Sequence, residues 1–243
     1  MPIFTSTTLA PAQPLAKNSL IRKISHSGFS LIEILVTMFI IVLVFSLASQ
    51  ISFTDRHAVE EVLDKLERAV RFAQGEASLR NAMVRIHFQL DKEPVTWTVE
   101  YGPDDRYVIP VYKFSSDTVH SEKEELEYRE SIKKTNKSFN KITEFQDKEE
   151  SLPDAVKVLG IGSTLEKKMV QEFETSIYFY PSGEKDDALI VLATDDEVIS
   201  LSLDAYDSDM KRQYIALEGV EAAERDDKQF QLAKEMYETW RKQ

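Results

Sequence analysis

The sequence predicts an α+β chain: a long N-terminal helix packed on an antiparallel β-sheet domain, with a charged insertion and a C-terminal helix. Three observations predict it. An apolar run extends from Phe29 to about Phe53. Apolar residues then recur at three- and four-residue steps as far as Ala77, with no proline, which is the period of an amphipathic helix. After Asn81 the pattern shifts towards period two and favours β-branched and aromatic residues, the signature of strands.

Residues 1–28 contain Lys17, Arg22 and Lys23 and no acid. The apolar run at 29–53 is broken only by Glu33, Thr37 and scattered small or polar residues near its end. About 25 helical residues at ~1.5 Å each exceed the ~30 Å hydrocarbon core of a bilayer, so length permits a transmembrane anchor. Secretory h-regions are shorter, at about 7–15 residues, although Ser46-Leu47-Ala48 has the small-x-small form of a cleavage site. Basic residues precede the run, and Asp55, Glu60, Glu61 and Asp64 follow it. That asymmetry puts the N-terminus in the cytoplasm and the C-terminal domain outside it. Neither a signal peptide nor a plain anchor explains Glu33, because an acid at the centre of a membrane span costs roughly 2.5–3.5 kcal/mol.

Over 54–81 the positions Val59, Val62, Leu63, Leu66, Ala69, Val70, Ala73 and Ala77 share one helical face, and charged residues fill most of the rest. Together with the apolar run this predicts one helix of roughly 50 residues. The β-rich domain is expected at 82–216. Its strands are Met83 to Phe88, Val95 to Tyr101, Tyr107 to Phe114, Ile177 to Tyr180, Ala188 to Leu192 and Val198 to Leu203. Composition marks turns at 101–107 (YGPDDRY), at Pro181-Ser182-Gly183 and at Asp195-Asp196. The insertion at 115–151 is charge-dense and mixed in sign, and reads as a solvated helix or flexible excursion between strands. In the tail at 217–243, Phe230, Ala233, Met236, Tyr237 and Trp240 share a helical face that is expected to pack on the parent domain.

The chain has 30 basic and 42 acidic residues, and all of the acids follow residue 28. Broad binding to a phosphate backbone needs clustered cations. The most basic run (Lys133, Lys134, Lys137 and Lys141, around Phe139) is flanked by acids, so nucleic acid is not an expected partner. Without cysteine there is no disulfide, thiolate metal site or thiol nucleophile. The four histidines, His26, His57, His87 and His120, are scattered, and no HExxH, Gly-x-Ser-x-Gly or phosphate-binding loop occurs. Ser163 follows Gly160-Ile161-Gly162, which reads as a turn. No catalytic residue, cofactor site or enzyme activity is expected. Asp195-Asp196-Glu197 and Asp204, Asp207 and Asp209 are acidic clusters without the Gly and bidentate Glu of a calcium loop. They read as solvated surface acids, with no metal.

The stretch Gly28-Phe29-Ser30-Leu31-Ile32-Glu33 closely resembles the processing site of type IV pilins and type II secretion pseudopilins. The resemblance implies that a prepilin peptidase cuts after Gly28 and that Phe29 becomes the N-methylated first residue. It also implies that Glu33 pairs with the N-terminal amine of a neighbouring subunit, so that the costly carboxylate becomes an assembly device. The helix end at 72–88, the strand–turn–strand at 177–192 and the hairpin at 189–203 are similar to the H-type minor pseudopilins of type II secretion. An Asp-Gly-Trp-Gly-type loop of major pseudopilins is missing.

The implied function is that of a minor pseudopilin at or near the tip of a pseudopilus that assists protein export. The alternative is a minor type IV pilin acting in pilus assembly, adhesion or DNA uptake. Implied partners are other pseudopilins or pilins in a helical filament, the prepilin peptidase, an inner-membrane assembly platform, secreted cargo, and the membrane before assembly. The implied location is the bacterial inner membrane, single-pass with a periplasmic C-terminal domain, and then the periplasmic filament.

Overall fold

The computed structural model describes residues 30–104, 122–145, 149–166 and 168–242, and their side chains except those at 45–54, 104, 122 and 125. The chain divides into two compact units, Met1–Phe45 and Ser46–Gln243. Gly28, Phe29, His26, His120 and the expected strand from Tyr107 to Phe114 lie outside the described residues.

Helix α1 spans Leu31–Arg80. It ends where Asn81 takes a left-handed backbone with φ of 51°, a conformation that asparagine tolerates better than most residues. The eight apolar positions expected to share a face, from Val59 to Ala77, are all buried. Strands β1 (Ala82–Gln89) and β2 (Thr96–Asp104) follow, then helix α2 (Glu122–Asn136). Two short strands, β3 (Asn140–Lys141) and β4 (Glu150–Ser151), precede β5 (Lys157–Ser163), β6 (Glu174–Phe179) and β7 (Ala188–Ala193). The chain continues through β8 (Glu197–Leu203) and β9 (Lys211–Ala216) to helix α3 (Arg225–Trp240). The architecture is α+β, as expected.

The expected single sheet is two. The first has the order β3-β2-β1-β6, with β4 also on β2, and the second has the order β5-β7-β8-β9. All their pairings are antiparallel. The split arises because β7 pairs with β5 and β8 and not with β6, which precedes it in the chain. Each sheet turns one apolar face to a single core shared with α1. Val84, Ile86, Phe88, Trp97, Val99 and Ile177 enter it from the first sheet, and Ile161, Ile190, Leu192, Ile199 and Leu201 from the second. The alternation along each strand fixes which residues enter this core, since neighbours on a strand face opposite ways.

Three glycines read as turn signals are seats for side chains. Gly102 continues β2, because Tyr101 pairs with Val84 and Asp104 with Ala82. A Cβ on Gly102 would stand 2.5 Å from the Phe139 ring. Gly160-Ile161-Gly162-Ser163 is likewise strand, not turn. A Cβ on Gly160 would stand 2.7 Å from Met169, and one on Gly162 would stand 2.5 Å from Tyr237. Strand β9 escaped the sequence reading because its residues are mostly exposed and lack alternation. It is held by the β8 ladder and by Arg212, which meets Glu60, Asp64 and Glu67 of α1 at 2.6–2.8 Å.

The two later helices cover the sheet faces turned away from the shared core. Helix α2 falls in the expected insertion, yet it is not simply solvated. Tyr128, Ile132 and Thr135 are buried, and Asn136 bonds into the first sheet. Helix α3 packs Ala233, Met236 and Tyr237 with Leu159, Leu189, Val191 and Val198 of the second sheet. Trp240 is partly buried there, but Phe230 is 47% exposed, a correction to the predicted face. Gln229 is buried one position earlier, and its amide donates to the Thr194 carbonyl at 2.8 Å.

Candidate functional site

The N-terminal unit carries the one sequence feature that points to a defined chemistry. Ser30 opens the helix: its carbonyl accepts the N–H of Glu33 at 2.9 Å and of Ile34 at 3.2 Å. Glu33 therefore sits in the first turn of α1, where the unpaired N–H groups and the helix dipole favour a negative charge. Thr37, one turn on, spends its hydroxyl on the carbonyls of Glu33 and Ile34, each at 2.9 Å. This satisfies a polar side chain inside an apolar run without a partner from elsewhere. Among the described residues no ion pair reaches Glu33. Gly28 and Phe29, the other two residues of the predicted site, are not among those described.

From Leu31 to Val44 every large apolar side chain is between 45 and 81% exposed. A helix apolar on all sides needs an apolar surround. At roughly 1.5–3 kcal/mol for each large side chain taken out of water, covering this run is worth on the order of 20 kcal/mol. Among the described residues, no helix is long and apolar enough to cross a membrane.

The folded unit places the other candidates apart. His57 is exposed. His87 is buried on β1, where Nδ1 lies 3.0 Å from the Ser176 hydroxyl and Nε2 lies 3.5 Å from the Glu174 carboxylate. That neighbouring ring, above all, holds the Glu174 carboxyl below the usual carboxylate range. Ser163 is buried at the end of β5. No group of three or more His, Asp or Glu that could hold a metal occurs among the described residues. Asp204 accepts the N–H groups of Tyr206 and Asp207, and Asp207 that of Asp209, so these acids shape their own loop. Lys141 is paired with Glu149 at 2.6 Å, and Phe139 is buried under Arg85, which breaks up the basic run.

Sequence reasoning missed a polar network on the face of the first sheet away from the shared core. Arg85, 2% exposed, donates Nε and Nη2 to Glu100 at 2.9 and 2.6 Å, and Nη2 to Asn136 Oδ1 at 2.8 Å. Its guanidinium lies 4.0 Å from the Phe139 ring centroid. Asn136 also donates to Glu174 at 2.7 Å, and Thr98 to Glu100 at 3.0 Å. The signal was present in Arg85 and His87, which alternate with Val84, Ile86 and Phe88. Alternation names the face, but it cannot show that α2 closes over it.

Residues 24–49 match the family model described as the prokaryotic N-terminal methylation motif. The chain thus carries a prepilin-type methylation motif, which is a mark of the pilin and pseudopilin superfamily. No curated protein and no solved structure matches the chain.

Proposed function

We propose that the chain is made as a prepilin-type precursor and works as a minor pseudopilin of a type II secretion system, in the bacterial envelope. In this reading residues 1–28 are a cytoplasmic leader that a prepilin peptidase removes after Gly28, and Phe29 becomes the methylated N-terminus. Residues 29–53 lie in the inner membrane before assembly and in the filament core afterwards. Residues 54–81 form the amphipathic half of the helix, 82–216 the periplasmic β-rich domain and 217–243 its helical tail. The observation that carries the reading is the coincidence of two features: the methylation motif at 24–49 overlaps a helix whose apolar side chains from 31 to 44 are exposed on every side.

The chemistry is economical. Lipid covers the apolar helix in the precursor, and neighbouring helices cover it in a filament, so the same surface serves both states. Cleavage creates a cationic amine at Phe29, and the Glu33 carboxylate of an adjacent subunit pairs with it. Removing either charge leaves the other unpaired in an apolar surround, which is costly. Head-to-tail contacts of this kind propagate as an open helical filament. The folded unit, net acidic, faces other minor subunits or exported cargo at or near the tip.

Mass spectrometry of the protein recovered from cells should show an N-terminus at methylated Phe29. A start at Ser49, or an intact leader, refutes the proposal. Glu33→Ala should leave membrane insertion unchanged and lower filament incorporation by about tenfold or more. Normal incorporation of that variant would exclude the pairing.

A further inference from the structure

Strand β9 ends the second sheet, and the described residues leave its outer edge uncovered. The other edges carry neighbours. The outer side of β2 holds β3 and β4. On β6, Tyr178 is bonded through both its N–H and its carbonyl to Asp186. On β5, Ile161 exchanges both backbone bonds with Val170 at 2.8 Å. Along β9 the Leu217 N–H meets the Asp196 carbonyl at 2.8 Å, in register with the β8–β9 ladder. Ladder groups alternate, so Ile215, Gln213 and Lys211 also face β8, and the N–H and C=O groups of Arg212, Tyr214 and Ala216 point away from the sheet. Among the described residues none of those outward groups is hydrogen-bonded. Lys211, Gln213, Tyr214 and Ala216 are exposed.

Folded proteins guard such an edge with a proline, a bulge or a charge. β9 has no proline, and it pairs with β8 without the register shifts of β1–β2 and β5–β7. Arg212 does not guard it, because Glu60, Asp64 and Glu67 draw its guanidinium onto α1. Lys211 is left, at the first position only. From Gln213 to Ala216 the strand is uncharged.

We propose that this edge pairs antiparallel with β9 of a second copy, so that the β5-β7-β8-β9 sheets of two copies become one. Charge selects the sense and the register. Lys211 and Arg212 lie at the start of the strand, and the exposed Glu218 lies just beyond its end. Neither Lys211 nor Glu218 has an ion pair among the described residues. Parallel pairing would oppose cation to cation, which destabilises a sheet. With Tyr214 opposite the partner's Tyr214, Arg212 faces the partner's Ala216, and every outward backbone group of both strands is satisfied. Lys211 then stands opposite the partner's Leu217, beside the partner's Glu218, and no like charges meet. The pairing goes beyond the processing and filament role proposed above and does not depend on it.

The test is sedimentation equilibrium of the full chain in density-matched micelles, from ~1 to ~200 µM. Wild type should form dimers within that range. Ala216→Pro removes an outward N–H and no bond to β8. It should melt at the wild-type temperature and weaken the dimer about tenfold, through one lost hydrogen bond in each copy. Lys211→Glu should weaken the dimer about threefold, and adding Glu218→Lys should recover that loss. If Ala216→Pro melts lower, this charge swap, which leaves the backbone unchanged, decides the matter. A wild-type monomer throughout, a dimer that a stably folded Ala216→Pro leaves intact, or a charge swap without recovery would each overturn the proposal. Association through the apolar N-terminal helix would give the second of these outcomes.

Discussion

The two sheets share one core but cover their other faces by opposite means. On the first sheet that face carries a buried polar network beside a small apolar cluster of Met83, Phe139 and Tyr178. Arg85, Glu100, His87 and Glu174 stand on it, and Asn136 of α2 bonds to two of them. On the second sheet it is apolar, with Leu159, Leu189, Val191 and Val198 meeting Ala233, Met236 and Tyr237 of α3. The first kind of cover is directional: each donor needs its acceptor, and a vacancy leaves a buried charge. The second is non-directional and scales with area, so it degrades in proportion to what is removed. One sheet therefore gains a specified partner for α2, and the other gains robust adhesion for α3.

The largest expected effect comes from breaking the directional side. Arg85→Ala leaves Glu100 buried without its partner and should cost about 4 kcal/mol, read as a lower urea midpoint of Trp97 fluorescence. Replacing both charges by apolar residues, Arg85→Met with Glu100→Leu, should recover more than half of that loss. If the double variant is no better than the single one, the cost lies in lost packing and the contrast between the faces fails. Met236→Ala on the apolar side should cost about 3 kcal/mol by the same measurement. Repacking with leucine at this position should restore most of it, because a volume-conserving apolar swap is tolerated where no donor must be matched.

The smallest effect sits in the segment that joins the sheets. Asp186 lies between β6 and β7, and its carboxylate accepts the N–H of Tyr178 and the hydroxyl of Tyr180, each at 2.9 Å. Burial pushes this carboxyl up to about 6 from its ordinary 3.8, against the pull of those two donors. A raised acid favours the folded state fully while it is protonated in both states, below about pH 4. That contribution is lost as pH rises through 6. Asp186→Asn removes the titration. Its stability relative to wild type should therefore rise by on the order of 2 kcal/mol between pH 4 and pH 7, followed by thermal melts across that range. A pH-independent difference would show that the junction does not titrate.

Much of this was legible in the order of residues, and the failures share a cause. The buried face of α1 was read correctly at all eight positions from Val59 to Ala77, because a helix of fixed pitch converts spacing into a face. Strands β1, β2, β6, β7 and β8 were visible for the same reason at period two. Gly102, Gly160 and Gly162 misled because glycine marks both a turn and a close approach, and only the approaching side chain decides which. Strand β9 and the paired Arg85 were invisible because a ladder partner and a covering helix come from elsewhere in the chain. For the N-terminal site, the motif was plain in Gly28-Phe29 and Glu33.

What the sequence determined alone is local: helix pitch, strand alternation, the prepilin-type motif, and an apolar run with one carboxylate in its first turn. Each depends on residues a few positions apart, whose geometry the backbone dictates. What only the tertiary structure decided is which surfaces meet: two sheets in place of one, a charged insertion closed over Arg85, and a C-terminal helix seated on Gly162. It also decided that Gly162 and Tyr237, 75 residues apart in the chain, meet in close contact. Those outcomes depend on burial and partners across long separations, where many pairings satisfy the same local pattern and only the assembled core selects among them.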